Sequence, residues 1–220
     1  MKIFFRSETD QLILVAQNSN KGNIADNISN KIQSNSFNMR KIFDNLYYDI
    51  LLNFGKLNFK YYLNKKEYTE FTVTEEIRNY IKNVSAEKVQ KVTDSTKQEI
   101  KQIILKNLES GNSISQIESD IRKTYREFGQ ARARKIAVTE VASISNYASL
   151  IGAKQAGMKQ KKWIIMDDIR VRVSHQDMEK VPYINIDSYF NVGNSVMLFP
   201  GDFKGEAKEV IYCRCWLVFK

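Results

Sequence analysis

The chain has 220 residues, of which 43% are hydrophobic, and this near-average content excludes a globally disordered protein. No apolar run approaches the ~18 residues of a membrane span, and the apolar start at residues 3–5 is too short for a signal peptide. The formal net charge is +9, and two cysteines that flank one residue do not suit a secreted disulfide scaffold. We therefore expect a protein that is made and used in a cytoplasm or inside a particle.

The first 38 residues carry weak structural signals. Residues 1–16 fit either a strand pair or a helix. Residues 17–38 are dense in Asn and Ser, which compete with regular backbone pairing, so this stretch predicts a surface excursion, a linker or a partner-binding arm. Within it, Ile24, Ile28 and Ile32 recur at helical spacing and indicate an amphipathic helix.

Aromatic residues crowd the stretch from residue 39 to residue 68. Its first part has the apolar spacing of a helix face, and Gly55 is the predicted end of that helix. Lysines are interleaved with the aromatics. This combination is typical of a core plus an interface, and stacking on nucleic-acid bases is the alternative. Thr72 and Glu75 then have the spacing of a capping box that opens a further helix. Residues 1–90 thus form a variable N-terminal region, predicted to be mostly helical.

Residues 91–160 form a second, basic helical region. Ser115 and Glu118 have the spacing of a capping box, and Gly129 is the predicted end of the helix that this box opens. The helix from about residue 130 to residue 156 is the clearest element of the chain, because its apolar residues form one continuous stripe.

The positive charge of the chain is concentrated in this basic region. Residues 1–90 hold 13 basic and 10 acidic residues, residues 91–162 hold 14 and 7, and residues 163–220 hold 7 and 8. Such asymmetry favours contact with a polyanion such as DNA, and a solvated lysine-rich surface is the alternative. Basic residues near the start of the long helix also oppose its dipole unless an acidic group or a phosphate lies there. The predicted DNA-binding residues are Arg122, Lys123, Arg126, Arg132, Arg134 and Lys135.

Residues 161–220, the C-terminal module, change from helical to shorter periods. Residues 162–166, 196–199 and 210–218 are strand candidates, and a Pro-Gly-Asp turn ends the second of them. Residues 170–173 alternate as a strand would, but a short helix before His175 fits equally. The predicted fold class is α+β, with a mainly helical N-terminal two-thirds followed by a small mixed α/β module with a few short strands.

The module also contains His175, the only histidine, and Cys213 and Cys215, the only cysteines. Zinc binds thiolates and imidazole, usually with four ligands, and residues i and i+2 of a strand point to one face. No cofactor is certain, and a structural zinc is the candidate. Besides water, the candidates for a fourth ligand are Asp167, Asp168, Asp177 and Asp202. The alternative is a pair of buried apolar thiols beside a hydrogen-bonded interior histidine.

The ordered set of residues from the long helix to the chain end resembles the phage Mu F-like minor head proteins. Residues 132–147, R-A-R-K-I-A-V-T-E-V-A-S-I-S-N-Y, are similar to that family's R-x-x-x-I-A-R-T-E-x-x-x-x-x-N helix. Val138 stands where Arg is common, and Tyr212 stands where Asn is common. The family-motif residues of the module are Trp163, Asp168, Arg170, Pro200, Asp202 and Arg214, around the histidine and the two cysteines. The resemblance covers roughly residues 95–220.

The resemblance implies a non-catalytic minor head protein that associates with the portal, aids head assembly and contacts packaged DNA or its ejection. Its implied partners are the portal protein, the inner capsid and packaged double-stranded DNA, with no membrane and no small-molecule substrate. It implies a place in the virion, in the capsid interior or at the portal vertex, after assembly in the bacterial cytoplasm. The alternative is a small metal-dependent hydrolase or transferase of phage origin that uses His175, Asp168 and the cysteine pair.

Overall fold

The computed structural model describes residues 2–63 and 70–220, apart from the side chains of residues 2, 3, 5, 126–128 and 130. The elements are α1 (Lys2–Gln17), α2 (Ile24–Tyr62), α3 (Glu75–Glu109), α4 (Ile114–Gln155), β1 (Gln160–Ile164), α5 (Val173–Glu179), β2 (Ile184–Asn185), β3 (Phe190–Val192), β4 (Ser195–Met197), α6 (Ala207–Val210) and β5 (Trp216–Phe219). The α+β prediction is confirmed, because long helices precede a small module of short antiparallel strands. Within the described ranges, no helix is both long and apolar enough to cross a membrane. The part of the predicted aromatic–lysine stretch at residues 64–69 lies outside the described residues.

The chain divides into two compact units, and neither is continuous in sequence. The helical unit combines Met1–Asn45 with Tyr80–Arg134, and the mixed unit combines Leu46–Asn79 with Lys135–Lys220. The helices α2, α3 and α4, which are 39, 35 and 42 residues long, each contribute to both units. The division between the two units therefore cuts across three of the helices.

Isoleucines dominate the core of the helical unit. The buried cluster consists of Leu12, Ala16, Ile24, Ile28, Ile32, Ile100, Ile104, Ile117 and Ile121. Residues 2–16 are helical, and the helix predicted from Ile24, Ile28 and Ile32 is confirmed. The linker prediction is wrong beyond residue 23, because burial of these isoleucines outweighs the turn preference of the surrounding Asn and Ser side chains.

A carboxyl group is also buried in the helical unit. The side chain of Glu8 on α1 is 3% exposed, with Asn35, Tyr125 and Arg132 around it. Burial raises the pKa of Glu8 to about 7, because desolvation disfavours the carboxylate more than these three neighbours favour it. Burial likewise raises the pKa of the Tyr125 hydroxyl, so the cluster favours neutral side chains.

Two glycines that were predicted to end helices lie inside them instead. Gly129 lies within α4, and Gly55 lies within α2. A Cβ on Gly152 of α4 would lie 2.4 Å from the carbonyl oxygen of Gly55, and a Cβ on Gly55 would lie 2.3 Å from the ring of Phe71. In the mixed unit, Gly152 therefore lets the backbone of α2 approach α4 closely, and Gly55 leaves room for the ring of Phe71, which is a different use of the residue from ending a helix.

The helix caps lie next to the predicted ones. The hydroxyl of Ser113 accepts from the backbone N–H of Gln116 at 3.3 Å, so Ser113 caps α4 in place of the predicted Ser115. The hydroxyl of Thr74 accepts from the backbone N–H of Ile77 at 3.4 Å, where Thr72 was expected to cap α3. Each predicted cap is displaced by two residues, since several Ser and Thr residues precede each helix and only one lies at the turn.

The module of the mixed unit contains two small antiparallel sheets. One has the strand order β2-β1-β5, with Trp163 of β1 opposite Leu217 of β5. The other is the β3–β4 hairpin, whose turn includes Gly193 at φ +58°. Trp163 is fully buried and packs edge to face on the ring of Phe190, with the ring centroids 5.3 Å apart. This tryptophan is therefore the centre of the module's core.

The strand predictions for the module are confirmed in part. The candidates at residues 162–166 and 196–199 overlap β1 and β4, and His175 lies on the helix α5. The candidate at residues 210–218 is wrong in its first half, because α6 ends at Val210 and β5 begins only at Trp216. The Cys-x-Cys segment consequently lies between a turn at Ile211 and Tyr212 and the start of β5, and the strand argument for its geometry does not apply.

Candidate functional site

The only histidine and both cysteines meet in the interior of the module. His175 on α5 is 1% exposed, and Cys213 and Cys215 are 3% and 5% exposed. The Nδ1 atom of His175 lies 3.3 Å from Sγ of Cys215 and 3.7 Å from Sγ of Cys213. All three potential ligand atoms lie within 4.8 Å of one another. The structure thus brings together the three residues that the sequence singled out as metal ligands.

The residue directly before Cys213 has a left-handed backbone conformation and forms part of the turn that leads into the two cysteines. Tyr212 has φ +56°, a conformation that costs a residue other than glycine ~1–2 kcal/mol. Its backbone N–H donates to the hydroxyl of Thr139 on α4 at 3.1 Å, which holds the turn in place. The convergence of Cys213 and Cys215 therefore depends on this turn and its attachment to α4.

A carboxylate that sequence reasoning missed orients the histidine. Oε2 of Glu209 lies 3.1 Å from Nε2 of His175 and accepts from the hydroxyl of Ser174 at 2.7 Å. Glu209 is 4% exposed. Its other carboxylate oxygen, Oε1, packs against Gly193, where an added Cβ would lie only 2.9 Å from that oxygen. Since an ionised carboxylate only accepts hydrogen bonds, the imidazole proton belongs on Nε2. The lone pair of Nδ1 then faces the two sulfur atoms.

The two thiols have opposite electrostatic environments. The hydrogen bond from Cys213 lowers the pKa of Cys215 to about 5 against the effect of burial, with further contributions from His175 and Trp163. The same hydrogen bond, together with burial, raises the pKa of Cys213. The indole N–H of Trp163 is buried with no oxygen or nitrogen acceptor among the described residues, and it lies close enough to Cys215 to favour a thiolate there. The cluster therefore favours a thiolate at Cys215 and a protonated thiol at Cys213.

The helix α4 holds the module through side chains on one face. The hydroxyl of Ser143 donates to the carbonyl oxygen of Gly201 at 2.6 Å. The amide of Asn146 donates to the carbonyl oxygens of Pro200 and Cys215, at 3.1 and 3.0 Å. Gly201 has φ +82°, and a Cβ there would lie 3.1 Å from Cα of Ser143. The family-like Thr-Glu…Asn helix is thus a docking face for the module, a role that its sequence alone did not indicate.

The aspartates proposed as a fourth metal ligand are engaged elsewhere. Asp202 is 2% exposed, and its two oxygens accept from the backbone N–H groups of Leu198 and Lys204, at 2.8 and 3.1 Å. Asp168 accepts two hydrogen bonds from the guanidinium of Arg214, at 2.5 and 2.6 Å, which hold the pKa of Asp168 well below its usual range. Both residues therefore stabilise the backbone path of the module.

The remaining acidic candidates also lie outside the buried cluster. Arg170, another family-motif residue, contacts Asp168 through its guanidinium at 3.2 Å. Asp167 is exposed, and Asp177 is an exposed partner of Lys180. Among the residues that the structure describes, the group able to hold a metal ion consists of His175 and the two cysteines. The enzyme hypothesis that joined Asp168 to this group has no support in the geometry.

The predicted DNA-binding residues fall into two groups. Arg122, Lys123 and Arg134 of the helical unit are exposed, and Lys135 at the start of the mixed unit's part of α4 is exposed as well. Arg122 has one distant acidic neighbour in Asp10, at 3.8 Å. These side chains remain candidates for phosphate contact, and the side chain of Arg126 lies outside the described part of the structure.

Arg132 differs from the other basic residues of α4. Its side chain is 17% exposed and contacts Glu99 at 2.6 Å. It also donates to the hydroxyl of Ser95 at 2.5 Å and to the carbonyl oxygen of Val92 at 3.1 Å. Arg132 is therefore part of the packing between α3 and α4 in the helical unit, and it offers less to a phosphate than its exposed neighbours do.

Comparison with known proteins agrees with the resemblance seen in the sequence. Residues 98–218 match the family model described as Phage Mu protein F like protein. The chain is 29% identical over 144 residues to the "Uncharacterized protein YqbB" of Bacillus subtilis (strain 168), which covers 63% of this chain and 47% of that protein. The chain thus spans about half the length of that relative, and no solved structure gives a significant match. The family match covers more than half of the chain and includes α4 and the whole cluster, so the chain belongs to the phage Mu protein F-like family.

Proposed function

We propose that this protein is a minor head protein of a bacteriophage that acts in head morphogenesis. It binds the portal or the adjacent inner capsid, assists assembly and contacts packaged DNA without catalysing a reaction. The observation that carries the proposal is the family match over residues 98–218. This span contains the docking face of α4 and the module fixed to it, which together form a preorganised surface for protein contact.

The proposed protein contact uses the loop between β1 and α5 together with the first residue of α5. Ile169 is fully exposed, Val173 is 74% exposed and Met166 is 40% exposed. Exposed apolar side chains on a rigid module are typical of protein interfaces. The anchor between Asp168 and Arg214 holds this loop, so its apolar side chains are presented in a fixed arrangement.

A pull-down with the portal protein tests this contact. We expect Ile169→Asp to weaken capture of the portal, because it places a charge in the apolar contact. The matched control is Val196→Asp, which changes another exposed apolar residue of the same module, 56% exposed on β4. Equal capture by wild type and both variants, or absence of the protein from purified particles by mass spectrometry, contradicts the portal proposal.

The proposed DNA contact uses the exposed basic residues of α4 in the helical unit. Lys123 and Arg134 are eleven residues apart, which is close to three full helical turns, so they lie near one face. Arg122 adjoins this face and is 51% exposed. Lysine and arginine side chains in such a row neutralise successive phosphates and release counterions from duplex DNA.

Salt titration of DNA binding tests the electrostatic contact. We expect the logarithm of affinity to fall with the logarithm of salt concentration by a slope of about −0.9 per phosphate contact. Replacing Arg122, Lys123 and Arg134 with alanine makes this slope shallower. Lys180→Ala is the control, since that lysine is 82% exposed and lies within residues 163–220, which hold 7 basic and 8 acidic residues. A slope near zero in the wild type contradicts the DNA contact.

The proposal is non-catalytic because the reactive side chains are enclosed. His175, Cys213 and Cys215 are each at most 5% exposed. The cavity beside them has a volume of about 10 Å³, which suits a single water and no organic substrate. A thiolate in this setting has no room for the carbon or phosphorus centre that a nucleophile attacks.

A further inference from the structure

We propose that His175, Cys213 and Cys215 bind a zinc ion that holds the C-terminal module together, with Glu209 as the positioning partner of the histidine. Zinc binds thiolate sulfur and imidazole nitrogen. The cluster offers two sulfurs and one nitrogen from two segments that lie far apart in sequence, on α5 and before β5. A metal here would join these segments where the short strands supply few backbone hydrogen bonds.

The distances in the cluster match a tetrahedral zinc site. Zinc–sulfur bonds of about 2.3 Å and zinc–nitrogen bonds of about 2.0–2.1 Å place sulfur and nitrogen about 3.5 Å apart at the tetrahedral angle. The observed distances from Nδ1 of His175 are 3.3 Å to Cys215 and 3.7 Å to Cys213. Both nitrogen–sulfur distances therefore match those of ligands around one ion, and all three atoms lie within 4.8 Å of one another.

The hydrogen bonds around the histidine prepare it as a ligand. A histidine that binds a metal through one ring nitrogen generally donates through the other to a carboxylate or carbonyl oxygen. Glu209 accepts at Nε2, and Ser174 fixes the same carboxylate oxygen. Because Gly193 leaves room for the other oxygen, this buried carboxylate has a defined position. The Nδ1 lone pair is therefore held toward the sulfurs in one tautomer.

A buried donor also points to a thiolate at Cys215. The indole N–H of Trp163 lacks an oxygen or nitrogen acceptor among the described residues and lies beside Cys215. A zinc-bound thiolate carries negative charge and accepts such a hydrogen bond. In a cluster of neutral thiols, by contrast, the indole donor has only a weak acceptor, and the single lone pair of Nδ1 serves only one of the two S–H groups.

Water is the proposed fourth ligand. The cavity of about 10 Å³ beside the cluster is lined by His175, Cys215, Arg172 and Tyr212 among others. A volume of this size holds about one water molecule. The aspartates that the sequence offered as fourth ligands hold backbone groups or lie at the surface, so water is the ligand that the geometry provides.

Metal analysis of the full chain tests the site. The protein is produced without a histidine tag, in zinc-supplemented medium, and purified under reducing conditions. We expect about one zinc ion per chain and, after exchange with Co²⁺, the thiolate-to-cobalt charge-transfer absorption of a sulfur-ligated tetrahedral site. The double variant Cys213→Ser and Cys215→Ser loses both signals. Leu217→Ala is the control, because it truncates a buried residue of β5 outside the cluster and keeps the metal.

Competition with a chromophoric chelator tests the role of Glu209. We expect Glu209→Gln to weaken zinc affinity by about 10- to 100-fold, as removal of such a positioning partner usually does. Affinity equal to wild type overturns that role. Wild-type protein without zinc, zinc retained by the double serine variant, or an intact mass that shows a Cys213–Cys215 disulfide overturns the site itself. These readings involve no phage particle, so they are independent of the proposed head function.

Discussion

The buried carboxyl group of Glu8 makes the stability of the helical unit depend on pH. Its pKa is raised from 4.5 to about 7 by burial, so below pH 4.5 the group is protonated in both the folded and the unfolded chain. Between these two values the unfolded chain ionises first, and the free energy of unfolding decreases as pH rises. Above pH 7 the loss is complete and amounts to about 3 kcal/mol.

The substitution Glu8→Gln removes this dependence, because an amide of similar shape does not ionise. Urea unfolding followed by helical circular dichroism, at intervals from ~pH 4 to ~pH 8, measures the difference between variant and wild type. We expect the variant to gain stability relative to wild type as pH rises. Asp10→Asn is the matched control, since it removes a charge from the same helix where the side chain is 71% exposed. Parallel pH profiles for wild type and Glu8→Gln would refute the reasoning.

Four further substitutions test the packing and hydrogen bonds described above. Gly152→Ala should destabilise the protein by about 1–3 kcal/mol, because the added methyl group overpacks the contact with α2. Gly129→Ala has open space around it and should stabilise α4 by about 0.5–1 kcal/mol. Chemical denaturation measures both changes in the free energy of unfolding. Asn146→Ala leaves two buried carbonyl oxygens without their donor and should cost about 1–3 kcal/mol, with a lower Tm than a surface Asn→Ala control. The pairing of Asp168 with Arg214 stabilises wild type above pH 3.8, and wild type loses this stability as the pH falls. Asp168→Asn removes the pairing, so the Tm difference between wild type and variant should shrink as the pH falls. A Tm difference that does not change with pH would contradict this.

Most of the correct predictions came from two features of the sequence, the regular spacing of apolar residues and the rarity of histidine and cysteine. Isoleucines at helical spacing specified the core of the helical unit even inside an Asn- and Ser-rich stretch, because burial of a regular apolar stripe outweighs local preference. The single histidine and the two cysteines were recognisable as a group for their chemistry. Both signals depend on residue type and spacing, which a sequence displays directly.

The missed features depend on proximity in three dimensions. Glu209 lies in an E-A-K-E-V segment that has the composition of a solvated helix, and nothing in it indicates a buried partner for His175. The left-handed backbone of Tyr212 has no residue signature, because glycine or asparagine is the usual choice there. Gly55 has the same appearance in sequence whether it ends a helix or admits a neighbouring backbone.

Each of the three long helices contributes to both units, which affects any attempt to produce the family-matched region as a separate fragment. The matched span of residues 98–218 omits the α2 segment that belongs to the mixed unit. In that segment, the hydroxyl of Tyr47 donates to a carboxylate oxygen of Glu140 at 2.5 Å. The same segment contains Gly55, whose backbone carbonyl oxygen packs against Gly152. A fragment cut at the family boundary would leave this side of α4 bare to water. This segment of α2, which shares no recognisable motif with the family, is thus part of the packing that supports the part that does.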